Sequence, residues 1–292
     1  LYVLELSSFQ LETTRSLQAA VATVFNISPD HMDRYADIEA YAAAKGRILQ
    51  GAGVGVYNAD DPVVAAMSGS DDTWYFTLGE SQDDKMFGVC PIDGGKYLCR
   101  NEQPLLAVDE LKIPGRHNLA NALAALAMGT ALGFDLAVML GVLRSFRGLP
   151  HRTEFVAEIG GVRWYNDSKG TNVGASIAAL QGLDRGDDTR TVLIAGGDCK
   201  GADFSALSQV LDTCARAVVL IGRDVASIAA VVPNSVDSVV AADMDEAVAR
   251  ATEMARPGDR VLLSPACASF DMFAGYAQRG DRFMQAVRRL AP

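Results

Sequence analysis

The sequence predicts an α/β chain of two domains. The first, residues 1–148, carries a parallel sheet plus a small antiparallel sheet, and the second, residues 149–292, carries a doubly wound, Rossmann-like sheet. Three observations lead there. The chain has 292 residues, which at roughly 150 residues per domain is enough for two. Its second half alternates apolar strand-like runs with helix-length segments, the pattern of parallel strands joined by right-handed crossovers. Its first half breaks after Asp72 into short strands separated by turns.

Taken in order, 1–4, 22–27 and 54–58 read as strands and 38–49 as a helix. Short strands follow at 74–78, 86–90, 97–99 and 105–108, with Asp93-Gly94-Gly95 as a hairpin turn. An alanine-rich helix over 119–132 opens just after His117-Asn118, and a second over 135–146 opens on an acidic cap. Arg147-Gly148-Leu149-Pro150 interrupts the helical run, because Gly ends helices and Pro resists continuing them. The domain boundary is placed there. Beyond it, strands at 162–166, 191–195, 217–221, 238–241 and 260–263 alternate with helices at 173–182, 204–214, 224–231, 244–254 and 273–290. Such apolar strands suit a sheet covered on both faces. Ligands of these sheets bind beyond the strand C-termini, which singles out the loops 167–172, 196–201, 222–224 and 264–269.

Composition narrows the function. With 49% hydrophobic and 21% charged residues the chain is globular, neither disordered nor collagen-like. No run of ~18 apolar residues is present to insert in a membrane. A net charge of -10 and a pI of about 4.8 argue against a nucleic-acid partner. Five cysteines without CxxC spacing read as free thiols in a reducing, cytoplasmic setting, with neither a disulfide framework nor zinc. The chain opens inside an apolar run without an initiator Met, as expected of the C-terminal portion of a longer protein.

Several residues stand out chemically. His31 follows a strand within Asp30-His31-Met32-Asp33, and a polar loop at a strand end favours a functional imidazole. Glu5 lies in an apolar run, where a carboxylate needs a partner. A salt bridge would serve, and so would a hard cation such as Mg²⁺. Lys45 sits on a helix after three alanines, either as a solvated side chain or with a close neighbour. Asp167-Ser168-Lys169-Gly170-Thr171-Asn172 and Gly196-Gly197-Asp198-Cys199-Lys200-Gly201 each place a lysine just after a strand. Helix-start amides and a lysine make an anion site. Two such loops at neighbouring strand ends point to a small carboxylate or phosphate ligand. No G-x-x-x-x-G-K-[ST] phosphate loop, G-x-S-x-G elbow, H-E-x-x-H or G-x-G-x-x-G motif occurs.

In order along the chain, Glu5-Leu6-Ser7-Ser8-Phe9-Gln10, Asp30-His31-Met32-Asp33-Arg34-Tyr35, Ala44-Lys45, Asn58-Ala59-Asp60-Asp61, Gly115-Arg116-His117-Asn118, Leu149-Pro150-His151-Arg152, Asp167-Ser168-Lys169-Gly170-Thr171, Ser264-Pro265-Ala266-Cys267-Ala268-Ser269 and Gln278-Arg279-Gly280 resemble the Mur ligase family. The resemblance implies a central ATP-binding domain, incomplete at its N-terminus and lacking the phosphate loop, followed by a C-terminal Rossmann-like domain that binds D-glutamate. It implies an ATP-dependent cytoplasmic ligase, acting as a monomer, that adds D-glutamate to UDP-N-acetylmuramoyl-L-alanine through an acyl phosphate in peptidoglycan precursor synthesis. By the same resemblance Glu5 and His31 are Mg²⁺ ligands, and Lys45 is carbamylated and joins them. Lys45, His31 and Arg152 are catalytic. Asn118, Asn121, Arg152 and Asp167 contact ATP. Ser7, Lys169, Thr171, Lys200, Ser269, Phe270 and Tyr276 bind substrate. Another Mur ligase, a folylpolyglutamate synthase relative, or a non-catalytic binding fragment stay open as alternatives.

Overall fold

The computed structural model describes all residues except Asp33, Pro114, Arg185, Asp187, Ala291 and Pro292. Asp33 of the Asp-His-Met-Asp motif thus lies outside the described residues, as do the last two residues of the second domain. The chain divides into two units, Leu1–Ile113 with Asn118–Phe146, and Pro114–His117 with Arg147–Pro292. Among the described residues no helix is long and apolar enough to cross a membrane.

The first unit runs α1 (Ser8–Thr13), β1 (Val21–Val24), α2 (Ile38–Gly46), β2 (Val54–Asn58), α3 (Pro62–Ala65), β3 (Asp72–Phe76), β4 (Met86–Ile92), β5 (Gly95–Arg100), β6 (Gln103–Ala107), α4 (Arg116–Ala131) and α5 (Leu136–Ser145). Its strands form one sheet in sequential order. β1 to β4 pair in parallel, and β4 to β6 continue the same sheet antiparallel. The antiparallel part follows from local turn chemistry. Asp93 and Gly94 have φ of 50° and 81°, and Ile92 faces Gly95, so two residues at positive φ close the β4–β5 hairpin. Val56, Phe76, Phe87 and Leu98 pack with Leu123 and Leu126 of α4 into this unit's main core. Carboxylate caps start the helices, with Asp37 Oδ1 accepting from Ala40 N at 2.8 Å and Asp135 Oδ1 from Val138 N at 2.9 Å.

The strand expected at 1–4 is absent. Leu1 and Tyr2 are 83% and 92% exposed, and the segment containing Glu5 runs irregularly into α1. A four-residue apolar run makes a strand only where a neighbouring strand takes its backbone hydrogen bonds. Among the described residues none pairs with it.

The second unit runs β7 (Glu154–Ile159), β8 (Val162–Asn166), α6 (Val173–Leu183), β9 (Thr191–Ala195), α7 (Ser205–Cys214), β10 (Ala215–Leu220), α8 (Val225–Ala229), β11 (Asp237–Val240), α9 (Met244–Met254), β12 (Arg260–Leu263) and α10 (Tyr276–Arg288). The sheet order is β11-β10-β9-β12-β8-β7. β8 to β12 are parallel, and β7 pairs antiparallel with β8. β7 is an addition to the five strands read from the sequence. Its signal is Gly160-Gly161, whose φ values of 60° and 77° make a hairpin turn. Alternate strand residues feed a core on each face. Leu193, Val218 and Leu262 lie on one side, and Trp164, Val192, Val219 and Val261 on the other.

Asp259 ties the strand starts of this sheet. Its buried carboxylate accepts from Arg190 N at 2.9 Å and Arg256 N at 2.8 Å and pairs with Arg216 of β10, while its carbonyl accepts from Arg163 N at 3.1 Å. Burial opposes its charge, but the guanidinium and the two amides outweigh burial and hold the carboxyl below its ordinary value. A lowered carboxyl stabilises the native state above the unfolded pKa of ~3.9, and that stabilisation is lost as pH falls through the lowered value. Asp259→Ala leaves Arg216 without its partner and is expected to lower the unfolding free energy at pH 7 by about 3–5 kcal/mol, measured by urea denaturation.

Candidate functional site

In the second unit, chain order reverses around β9. The strands after it lie on one side, and β12 returns on the other, between β9 and β8. A crevice opens at such a switch point beyond the strand C-termini. The loops leaving β8, β9 and β12 meet there and are cross-tied. Ala266 N donates to Gly170 O at 2.9 Å, Gly196 N to Pro265 O at 2.9 Å, and Asp198 N to Ala268 O at 3.0 Å. Gly197 has φ of 135° and closely abuts Gly222, where a Cβ would fall 2.6 Å from Asp271 Oδ2 and 2.7 Å from Gly197 Cα. These positions admit only glycine.

This geometry gathers the substrate residues expected in this half. Lys169 Nζ lies 4.3 Å from the Tyr276 ring centroid. Thr171 is exposed at the start of α6, where Asn172 Oδ1 caps Ala175 N at 2.8 Å. Lys200 is exposed with φ of 48°, Ser269 is buried on the β12 loop, and Phe270 is 71% exposed beside it. Two lysines, two hydroxyls and helix-start amides on three cross-tied loops are the donor types that suit a small dicarboxylate.

Asp167 is buried. Its Oδ1 accepts from Thr153 N at 3.0 Å and Thr153 Oγ1 at 3.3 Å, and its Oδ2 accepts from Ser264 Oγ at 2.7 Å. Burial outweighs these bonds and pushes its pKa up to about 6. In this structure, then, its carboxylate joins the β7, β8 and β12 ends. Arg152 is exposed and acts on Asp167 only as a nearby charge. Sequence reasoning named Arg279 and Ser264 within motifs but gave no role to the residues that hold these loops. Arg279 is 1% exposed and donates from Nε to Ser168 Oγ at 3.0 Å, from Nη2 to Ser168 O at 2.8 Å and from Nη1 to Cys267 O at 3.1 Å. Next to it, a Cβ at Gly280 would fall 3.0 Å from Asn166 Oδ1 and closer still to His151 Nδ1. An arginine followed by glycine, on a helix whose apolar face packs inward, was the available signal.

In the first unit, His31 (φ 57°) and Lys45 both lie against Tyr41. The His31 and Tyr41 ring centroids are 6.5 Å apart, and Lys45 Nζ is 5.1 Å from the Tyr41 centroid. His31 Nε2 is 3.8 Å from Asp30 Oδ2, and its ring packs 4.8 Å from that of Phe9. Glu5 is exposed. Ser7 acts as the N-cap of α1, accepting from Gln10 N at 3.3 Å while Gln10 Oε1 accepts from Ser7 N at 2.9 Å. Among the described residues no three His, Cys, Asp or Glu side chains gather to hold a metal. Neither Glu5 nor His31 belongs to such a cluster among the described residues. Asn118 and Asn121 sit one turn apart on α4, on one face.

Comparison with known proteins agrees with the fold. Residues 1–129 match the Mur ligase middle domain, and residues 151–267 match the Mur ligase, glutamate ligase domain. The chain belongs to the Mur ligase family. Its relatives include proteins named UDP-N-acetylmuramoylalanine--D-glutamate ligase. That of Nitrosococcus oceani is 53% identical over 99% of this chain and 64% of its own length. That of Pseudomonas aeruginosa is 51% identical over 100% of this chain and 65% of its own length. The chain thus spans somewhat under two thirds of these relatives. Among solved structures, UDP-N-acetylmuramate-alanine ligase of Thermotoga maritima superposes with a TM-score of 0.67 at 18% identity, over 97% of this chain and 62% of that one. Folylpolyglutamate synthase of Mycobacterium tuberculosis does so at 0.65 and 19%, over 95% and 64%. At such identities the likeness is one of fold.

The raised pKa of Asp167 has a consequence for stability. The native state holds this proton more tightly than the unfolded chain, whose carboxyl titrates near ~3.9. Its contribution is most favourable below pH ~4, weakens by about 3 kcal/mol as pH rises to ~6, and is level above that. A carboxyl-carbon NMR titration is expected to find the Asp167 midpoint at about 6. Asp167→Asn should remove that part of the pH dependence, and a midpoint of 4 or below would contradict the assignment.

Proposed function

We propose that the chain supplies the ATP-binding and amino-acid-binding parts of a ligase that adds D-glutamate to UDP-N-acetylmuramoyl-L-alanine in peptidoglycan precursor synthesis. The observation that carries this reading is identity of 50% or more along the whole chain with relatives named for that reaction. The placement of Lys169, Thr171, Lys200 and Ser269 on cross-tied loops beyond the strand ends supports it.

In this reading the carboxylate of the UDP-linked alanine attacks the γ-phosphorus of ATP, giving an acyl phosphate and ADP. The amine of D-glutamate attacks the acyl carbon, and the tetrahedral intermediate expels phosphate to leave an amide. The chain's residues position reactants and balance charge. Lys169, Thr171, Lys200 and Ser269 hold the D-glutamate carboxylates, with Phe270 and Tyr276 lining the apolar part. Arg152 neutralises ATP phosphate, and Asn118, Asn121 and Asp167 contact the nucleotide. Mg²⁺ accompanies ATP in such phosphoryl transfer. Lys45 takes up CO₂ as a carbamate, which exchanges a cation for an anion against the Tyr41 ring that His31 also contacts.

The test is phosphate release in the complete ligase, which should require ATP, UDP-N-acetylmuramoyl-L-alanine and D-glutamate together. Release with another amino acid in place of D-glutamate would refute the reading. Lys200→Ala removes a charge-assisted hydrogen bond of ~1.5–3 kcal/mol, so the KM for D-glutamate should rise about tenfold to a hundredfold while that for ATP stays level. With ¹³C-bicarbonate, the complete ligase should show a carbamate carbon resonance that Lys45→Ala abolishes. The 292-residue chain alone, which carries no G-x-x-x-x-G-K-[ST] loop, should release no phosphate under the same assay.

A further inference from the structure

Asp198 and Ala268 exchange two backbone hydrogen bonds of 3.0 Å, an isolated antiparallel bridge between the loops leaving β9 and β12. The next pair along that bridge is Cys199 and Cys267. It occupies a non-hydrogen-bonded position, where opposing side chains come closest. The two Sγ atoms lie 2.6 Å apart, roughly half an ångström beyond a covalent S–S bond. Both backbones are held. Cys199 N donates to Asp224 Oδ2 at 2.9 Å, and Cys267 O accepts from Arg279. Lys200 and Ala266, with φ of 48° and 60°, turn the two chains away just beyond the pair. Cys90 and Cys99 also approach one another, across a diagonal of the β4–β5 ladder. Cys90 is opposite Tyr97 and Cys99 opposite Gly88 on the β4–β5 ladder, and Cys214 lies 3.8 Å from Asp184 Oδ2.

We propose that Cys199 and Cys267 form a dithiol–disulfide site that hydrogen peroxide oxidises and a dithiol reduces, covalently joining the β9 and β12 loops. The Cys199 thiolate attacks one peroxide oxygen, the O–O bond breaks, and Cys199 becomes a sulfenic acid as the departing hydroxide takes a proton to form water. The Cys267 sulfur then attacks the sulfenic sulfur. The S–O bond breaks, and its oxygen leaves as a second water carrying the Cys267 proton. Two thiols lose two protons and two electrons, and one peroxide becomes two waters. The order of events follows from the pair itself. The hydrogen bond between them holds the Cys199 thiol below its ordinary value and, with burial, pushes Cys267 up. Cys199 is also the less buried, at 5% exposure against 1%. The link would immobilise the loops bearing Lys200 and Ser269, a consequence that rests on the D-glutamate reading above.

The native chain is treated with hydrogen peroxide, alkylated, digested with trypsin and analysed by mass spectrometry. The expected product joins fragments 191–200 and 261–279, lighter by two hydrogens than the two reduced fragments together, and is released by dithiothreitol. In Cys199→Ser the linked species should vanish. Recovery of both fragments unlinked from the native chain, whether alkylated or over-oxidised, would overturn the proposal. So would a Cys90–Cys99 link formed while Cys199 and Cys267 stay apart. Because D-glutamate plays no part in the readout, failure here is distinct from failure of the ligase reading.

Discussion

Arg279 reaches from α10 to the C-terminal edge of the second sheet, and its hydrogen bonds go to a hydroxyl and two carbonyls, not to a carboxylate. Burial draws its pKa down to about 10, which leaves it charged at neutral pH. A buried charge is costly unless its hydrogen bonds are made. These are made only when the β8 and β12 loops and α10 are all in place. The three segments are therefore mutually dependent, and Lys169, next to Ser168, and Ser269, two residues past Cys267, inherit their positions from that dependence. Its hydrogen-bond acceptors are neutral, and the nearby Asp271 carboxylate is a charge that favours its protonated form.

The corresponding region of the first unit is held differently. Glu12 accepts from Arg34 and from Tyr35 Oη, and the Arg34 bond foremost holds its carboxyl down to about 2. Phe9 stacks near Tyr35 and His31, and Tyr41 packs on Tyr35. Exposed ion pairs contribute little and are screened by salt. The aromatic cluster carries the segment that presents His31. The loop is also closed on itself, with Arg34 N and Tyr35 N donating to His31 O at 2.9 and 3.1 Å.

Much of the second unit was legible because its signals are local and redundant. β8, β9, β12 and α9 fall where apolar runs and helix-length spacers put them. β7 escaped because its residues are mostly partly exposed and its signal was a glycine pair. The antiparallel continuation of the first sheet was visible in Asp93-Gly94, yet nothing local says that β4 also joins β3. The site divided the same way. Lysines after strands announce themselves, whereas Arg279, Ser264 and Thr153 act through bonds to residues far along the chain, which no spacing encodes. Asp60 and Asp61, part of a recognisable motif, hold Thr77, Leu78 N and Ile27 N, contacts equally remote in sequence.

The position of β12 also bears on how the second unit comes to exist. β7 and β8 form a hairpin across a two-residue turn, a closure that takes microseconds. β12 has no such partner. Arg260 must find Arg163 on one side and Thr191 on the other, after most of the unit has been made. Pairings so distant in sequence form slowly, since loop-closure entropy is met before any contact rewards it. On a ribosome, the crevice cannot close until the last strand and α10 have emerged. Until then β8 and β9 present open edges, and the unit is most exposed to mispairing during synthesis.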